Sequence, residues 1–292
     1  MNDAAGSDLS PRVEAAIRRH VGARCAPPRL GAAIEHAILA GGSRVRPRFT
    51  LGVALACGDD RPALADAVAV AIECLHCASL VHDDLPCFDD AAIRRGRPTV
   101  HLAHGEALAV LSGDALIVMA FQTLSDVSAL AGERLPELLQ VLAEAAGAPD
   151  GLVGGQALES EHTPDLDTYH AAKTGALFEA AAAGGAVAAG GDVTVWRRIG
   201  AWLGAAYQIA DDIHDALGIG GEGKPTGQDT AHARPSVVAR HGVDGAVLAL
   251  HRHMEAAVDA IPPGPTAETL RTLVREQTTR FLPADLAARR SA

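Results

Sequence analysis

Apolar residues recur along this chain at helical intervals, in segments of 12–25 residues. Clusters of glycine and proline at 26–31, 57–62, 94–98, 147–155, 184–191, 218–227 and 261–265 separate them. No stretch alternates convincingly between apolar and polar, so the pattern predicts an all-α protein. One helix opens at Pro62, a proline suited to the first helical position, behind an acidic cap at Asp59 and Asp60. It runs through Ala67–Val81, and Pro86 ends or kinks it. A second is capped by Thr194 and ends before Gly218 and Gly220, about 23 residues and roughly 35 Å in length. Long helices with short loops, and no internal repeat or low-complexity linker, predict one large helical bundle over residues 1–292.

Two acidic clusters interrupt this apolar pattern. The first is His82-Asp83-Asp84-Leu85-Pro86-Cys87-Phe88-Asp89-Asp90; the second is Asp211-Asp212-Ile213-His214-Asp215. Carboxylates on apolar helices are costly unless something neutralises them. Asp211 and Asp215 stand four residues apart, so they are helical neighbours about 5–6 Å apart and repel when both are charged. Oxygen-only clusters suit Mg²⁺, which takes one or two carboxylates and leaves its other positions to water and phosphate. Facing one cavity, the two clusters would form a diphosphate-binding metal site.

Composition narrows the possibilities. Aromatics make up only 3% of the chain while apolar residues make up 48%, so the core is built from Ala, Leu, Val and Ile. Ala and Leu favour helix. A net charge of −11 argues against nucleic-acid or anionic-membrane surfaces as partners. No 18-residue apolar stretch is free of charge, and Met1-Asn2-Asp3 lacks a basic leader, so neither a membrane span nor a secretory signal is expected. Five cysteines are an odd number for a disulfide framework, and a reducing cytoplasm fits. Cys74 and Cys77 form a C-x-x-C without a second Cys/His pair, and read best as small buried helix residues.

The basic residues point the same way as the acidic ones. Only two of the 25 are lysines, Lys173 and Lys224, which marks both as sites needing a compact ammonium. Arg94-Arg95-Gly96-Arg97-Pro98 follows the first acidic cluster and reads either as surface pairing or as a phosphate grip. Gly41-Gly42-Ser43-Arg44-Val45-Arg46-Pro47-Arg48 reads either as a helix start with a solvated basic face or as a further anion pocket.

Taken together, and in this order, these segments resemble the all-trans isoprenyl diphosphate synthases. Asp83, Asp84 and Asp89 resemble that family's DDxxxxD motif with its RRGRP tail, and Asp211, Asp212 and Asp215 its DDxxD motif. The G-G-x-R-x-R-P segment at 41–47, a Gly154-Gly155-Gln156 turn, K-T-G at 173–175 and G-K-P at 223–225 also match, and the resemblance spans roughly residues 30–240. It implies the family's helical bundle with a central metal-diphosphate cavity. The expected chemistry is head-to-tail condensation of isopentenyl diphosphate with an allylic diphosphate (dimethylallyl, geranyl or farnesyl), in a homodimer. Three Mg²⁺ ions are implied, with Asp83 and Asp89 holding two and Asp211 the third, and Asp84, Asp212 and Asp215 standing behind. Arg94, Lys173, Thr174, Gln208 and Lys224 would contact the allylic substrate; Arg46, His76 and Arg95 would bind isopentenyl diphosphate.

Some positions depart from the family pattern. Ser43 stands where a lysine is usual, with Arg44 or Arg48 as candidate substitutes, and His232 or Arg234 stands near the place of another lysine. Ala91 and Ala92 replace acids often found after the first motif. Product length in this family is read below the first motif, at Ala78 and Ser79. Small residues there favour a twenty-carbon over a fifteen-carbon product, with farnesyl diphosphate synthase as the alternative. A non-catalytic subunit of a hetero-oligomeric synthase is a different class of alternative, against which both acidic motifs are retained. A class I terpene cyclase fits poorly, because it would line its cavity with aromatics.

Overall fold

The structure is a computed structural model that describes residues 8–22, 27–162, 165–218 and 236–281. Lys224, the G-K-P loop, His232 and Arg234 lie outside the described residues. The chain begins with α1 (Ser10–Val21), α2 (Pro28–Leu39), α3 (Val45–Ala56) and α4 (Pro62–Asp83). A two-stranded hairpin follows, β1 (Ile93–Arg94) and β2 (Arg97–Pro98), then α5 (Val100–His104), α6 (Glu106–Asp126), α7 (Ser128–Ala131) and α8 (Leu135–Ala146). The second half holds α9 (Leu152–Leu158), α10 (Leu166–His170), a π turn at Ala171–Gly175, α11 (Ala176–Ala189) and α12 (Val193–Ala216). The described chain closes with α13 (Val237–Ala260) and α14 (Ala267–Phe281).

α4 and α11 form the centre. α4 is buried on nearly every face, which explains its unbroken apolar sequence. α11 is built almost wholly from buried alanines, and Phe178 is the largest of the fully buried side chains. Gly184 and Gly185, expected to punctuate the chain, lie inside α11 instead. A Cβ on Gly185 would stand 2.4 Å from the Thr50 carbonyl oxygen, and one on Gly184 would stand 2.7 Å from Val68. These glycines are contact points that let α11 press onto α3 and α4; the helix stops only at Gly190, with φ +70°.

Other expectations are corrected locally. α4 does open at Pro62, but Asp59 and Asp60 do not cap it. Asp59 pairs with Arg12 at 2.8 Å, and Asp60 accepts two hydrogen bonds from Arg134. The 24-residue α12 is capped by Asp192, whose side chain accepts from the Thr194 amide at 3.0 Å, so Thr194 is the capped residue and not the cap. Gly154, Gly155 and Gln156 lie within α9 rather than in a turn. Cys74 and Cys77 are buried helix residues, and burial beside Glu73 pushes the Cys77 thiol up to about 12.

By length and composition alone, α4 and α6 are both apolar enough to cross a membrane, although each carries acids. The most apolar window of α4 is 83% buried inside the protein, so its character is that of a core helix; the figure for α6 is 44%.

Candidate active site

The last turn of α4 builds the first half of the site. Its carbonyls lack helical partners, and the chain that follows folds back to supply them. The amide of Asp89 donates to Asp83 O at 3.0 Å, that of Asp90 to Leu85 O at 3.1 Å, and that of Ala91 to Asp84 O at 3.2 Å. Pro86 cannot continue the helix and prevents the chain from running on. This fold-back carries the Asp89 carboxylate to that of Asp83. The basic turn beyond it is a two-residue hairpin with Ile93 opposite Pro98 and Arg94 opposite Arg97. Its corner residues Arg95 and Gly96 both have positive φ, at 53° and 71°, the geometry that suits a tight hairpin.

The hairpin returns its two arginines to different partners. Arg94 chelates Asp84 through Nε at 2.9 Å and Nη2 at 2.5 Å, and its Nη2 lies 3.8 Å from Asp83. Burial raises the Asp84 carboxyl above its usual range, and Arg94 opposes that shift. Arg95 donates to the Gly41 carbonyl, and its guanidinium lies flat on Gly42, where any Cβ would meet it at 2.6 Å. Gly42 therefore admits an arginine plane. The same arginines act on His76, whose imidazole is pushed well below its usual value by burial and then by Arg46, Arg95, Arg94 and Arg44. Arg46, His76 and Arg95, expected together at the isopentenyl diphosphate, thus share one positive field. A pocket adjoins, walled by Cys77, Leu80, Asp84, Arg94 and Arg95 among others.

The arginines at 44–48 are buried, so this run is not a solvated face. Arg46 stacks over Phe178, 4.5 Å from the ring centre, and over Tyr207 at 5.1 Å. Arg44 turns into the protein, bound to Glu73 at 2.5 Å, Glu14 at 2.8 Å and the Ile38 carbonyl at 2.6 Å. With its donors committed there, Arg44 does not stand in for the lysine absent at Ser43. Arg48 borders a separate apolar cavity with Phe49, Phe178 and Leu203.

The second half of the site comes from α9, the π turn and α12. A Cβ on Gly155 would stand 2.3 Å from the Lys173 amide nitrogen, so this glycine brings α9 directly against the π turn. One helical turn beyond Gly155, Glu159 meets the Lys173 ammonium, which is also 3.4 Å from Asp83 Oδ1. Asp83, Asp89 and Glu159 form a group whose ligand oxygens all lie within 4.8 Å of one another. Glu159 was missed by sequence reasoning. Its signal was its place three residues after Gly-Gly-Gln, on the same helical face as Gln156.

Asp211 is not part of that group; it stands half-buried on α12 with Asp215. Asp212 is 2% exposed and accepts from the Gln208 amide at 3.0 Å and the Val237 backbone amide at 2.7 Å, so it ties α12 to the start of α13. Thr174 donates to Gln208 Oε1 at 2.6 Å, which joins these two expected substrate contacts. Below Asp83, Ala78 is buried, and Ser79 donates to the His76 carbonyl at 2.8 Å.

An oxygen-only donor set, drawn from the end of α4, the loop after it and the end of α9, fits Mg²⁺ and leaves room for phosphate oxygens. The Gly-rich helix, the K-T-G turn and the folded-back acidic loop converge on it. A model of the polyprenyl synthetases matches residues 27–259. The chain belongs to the polyprenyl synthetase family. It is 51% identical over 282 residues to the geranylgeranyl diphosphate synthase of Cereibacter sphaeroides, covering 96% of this chain and 98% of that protein. Among solved structures, it resembles an FPP/GFPP synthase from Zymomonas mobilis with TM-score 0.80 and 34% identity, covering 92% of this chain and 97% of the other. It also resembles a geranyltransferase from Helicobacter pylori complexed with magnesium and isoprenyl diphosphate, with TM-score 0.77 and 30% identity, covering 93% and 98%.

As a polyprenyl synthetase the chain is a trans-prenyltransferase of the all-α isoprenyl synthase fold. The substrates of this family are isopentenyl diphosphate and an allylic diphosphate. Facing banks of carboxylate and cation are what a reaction with two diphosphates needs, because charge gathers on one of them as it leaves.

Proposed function

We propose that this polyprenyl synthetase makes geranylgeranyl diphosphate by Mg²⁺-dependent, head-to-tail, all-trans condensation. The observation that carries this reading is the placing of Lys173 between Asp83 and Glu159, with Arg94 Nη2 3.8 Å from Asp83. Asp83 and Asp89 would hold two Mg²⁺ ions and Asp211 a third. Bound there, Mg²⁺ supplies positive charge against the departing diphosphate. Lys173, Arg94, Thr174, Gln208 and Lys224 orient the allylic diphosphate, while Arg46, His76 and Arg95 hold isopentenyl diphosphate. The alanine- and leucine-rich walls exclude water from the allylic cation. The isopentenyl double bond attacks that cation, and the released diphosphate or a nearby polar group takes up the proton then lost.

A twenty-carbon product is supported by Ala78 and Ser79, which put no bulk one turn below Asp83, and by the similarity to the Cereibacter enzyme. Such a product would feed carotenoid biosynthesis. A homodimer is supported by α6, where Val110, Leu111 and Val118 are 41%, 51% and 55% exposed along one stripe. A reducing, cytoplasmic setting agrees with free Cys57, Cys74, Cys77 and Cys87.

The test is incubation of the purified protein with isopentenyl diphosphate, each allylic primer and Mg²⁺, followed by chromatography of the products. Geranylgeranyl diphosphate is the expected product, and Ala78→Phe is expected to shift it to farnesyl diphosphate. A farnesyl product from the unaltered chain would overturn the product reading. No turnover with any primer, together with stimulation of a partner synthase, would mark a regulatory subunit instead. An unchanged profile for Ala78→Phe would remove Ala78 as the floor.

A further inference from the structure

Lys173 owes its position to an arrangement that extends one residue further than the charges. The Tyr169 hydroxyl donates to Glu159 Oε1 at 2.6 Å, the same oxygen that receives the Lys173 ammonium. The Gln156 amide donates to the other oxygen, Oε2, at 3.0 Å. Glu159 is thereby held from both sides, on a helix pinned to the π turn at Gly155. Tyr169 stands four residues before Lys173 and is 6% exposed, with its ring 6.0 Å from the ammonium.

We propose that Tyr169 is a positioning residue for diphosphate binding: its hydroxyl fixes Glu159, and Glu159 aims the Lys173 ammonium at the Asp83–Asp89 site. This rests on reading that site as the diphosphate site. A lysine has four rotatable side-chain bonds, and without a fixed acceptor its ammonium samples many places besides the site mouth. Anchoring the acceptor lowers the ordering cost that binding must otherwise meet. Tyr169 itself touches no reacting atom.

The test uses the full-length protein and inorganic diphosphate with Mg²⁺, a probe that binds without reacting, followed by titration calorimetry. Tyr169→Phe keeps the ring and removes only the hydroxyl. It is expected to weaken binding about tenfold, the scale of one hydrogen bond to a charged group. In turnover it should raise KM for the allylic primer by a similar factor and leave KM for isopentenyl diphosphate unchanged. Because Tyr169 acts through Glu159, adding Tyr169→Phe to Glu159→Gln should cost nothing further. Wild-type affinity in Tyr169→Phe, or additive losses in the double variant, would overturn the proposal while the diphosphate site stands. A wild-type protein that binds no Mg²⁺–diphosphate would overturn the site reading, and this inference with it.

Discussion

The two acidic motifs look alike in sequence and are handled in opposite ways. In the first, Asp83 and Asp89 are drawn together by a backbone fold-back and joined by a third carboxylate from another helix. In the second, the most buried acid, Asp212, is spent on a helix start and an amide side chain, while Asp211 stays half-exposed above it. Two neighbouring aspartates therefore do different work. Asp211 keeps its carboxylate half-exposed, and Asp212 secures the backbone of the helix that carries both. Asp84 repeats this division beside Asp83, with Arg94 as its partner in place of a backbone amide.

The largest expected effect lies on the first side of the comparison. Asp83→Ala removes a carboxylate shared by the cation site and Lys173, and should lower kcat/KM about 10³-fold. The melting temperature should stay within about 2 °C, since the change relieves repulsion among three clustered acids. Product release in a steady-state assay and a thermal melt report the two quantities. A cooperative loss of structure would mean that the first cluster is structural.

Asp212→Ala probes the other side and should show the reverse. It leaves the half-buried Val237 amide and Gln208 side chain without their acceptor, at a cost of about 1–3 kcal/mol. Denaturant unfolding measures that loss, and the folded fraction should keep most of its activity. Loss of activity as deep as that of Asp83→Ala, with no loss of stability, would erase the distinction between the two motifs.

Much of this division is implied by the resemblance that the two motifs carry, and the limits of that reading are physical. Pro62 and the apolar run after it located α4, and the motif resemblance that begins at Asp83 singled out the loop that carries Asp89. The fold-back itself was not visible, because it depends on backbone carbonyls, which every residue carries. Glu159 escaped notice because an acid on a helix face acquires meaning only when Gly155 brings that helix against Lys173. Arg44 looked like a phosphate contact by position. Only its left-handed backbone, φ 49°, and the buried Glu73 explain why it turns inward. Gly184 and Gly185 read as a break because glycine serves both turns and close contacts, and one chain alone does not distinguish them.

The smallest effect concerns the connection between the two halves. Thr174 follows Lys173 in the π turn, and its hydroxyl donates to Gln208, which in turn donates to Asp212. Thr174→Val keeps the branched shape and removes that one donor. Because Gln208 Oε1 then loses a single neutral partner, the cost should be about 1 kcal/mol in unfolding free energy. Chemistry on the first cluster should persist, since Lys173 takes its position from Glu159 on the other side of the turn. If Thr174 also orients the allylic substrate, KM for the primer rises while kcat holds. A fall in kcat approaching that of Asp83→Ala would instead mean that the second motif reaches the reacting atoms through this hydrogen-bond chain, and that the contrast between the two motifs is one of degree.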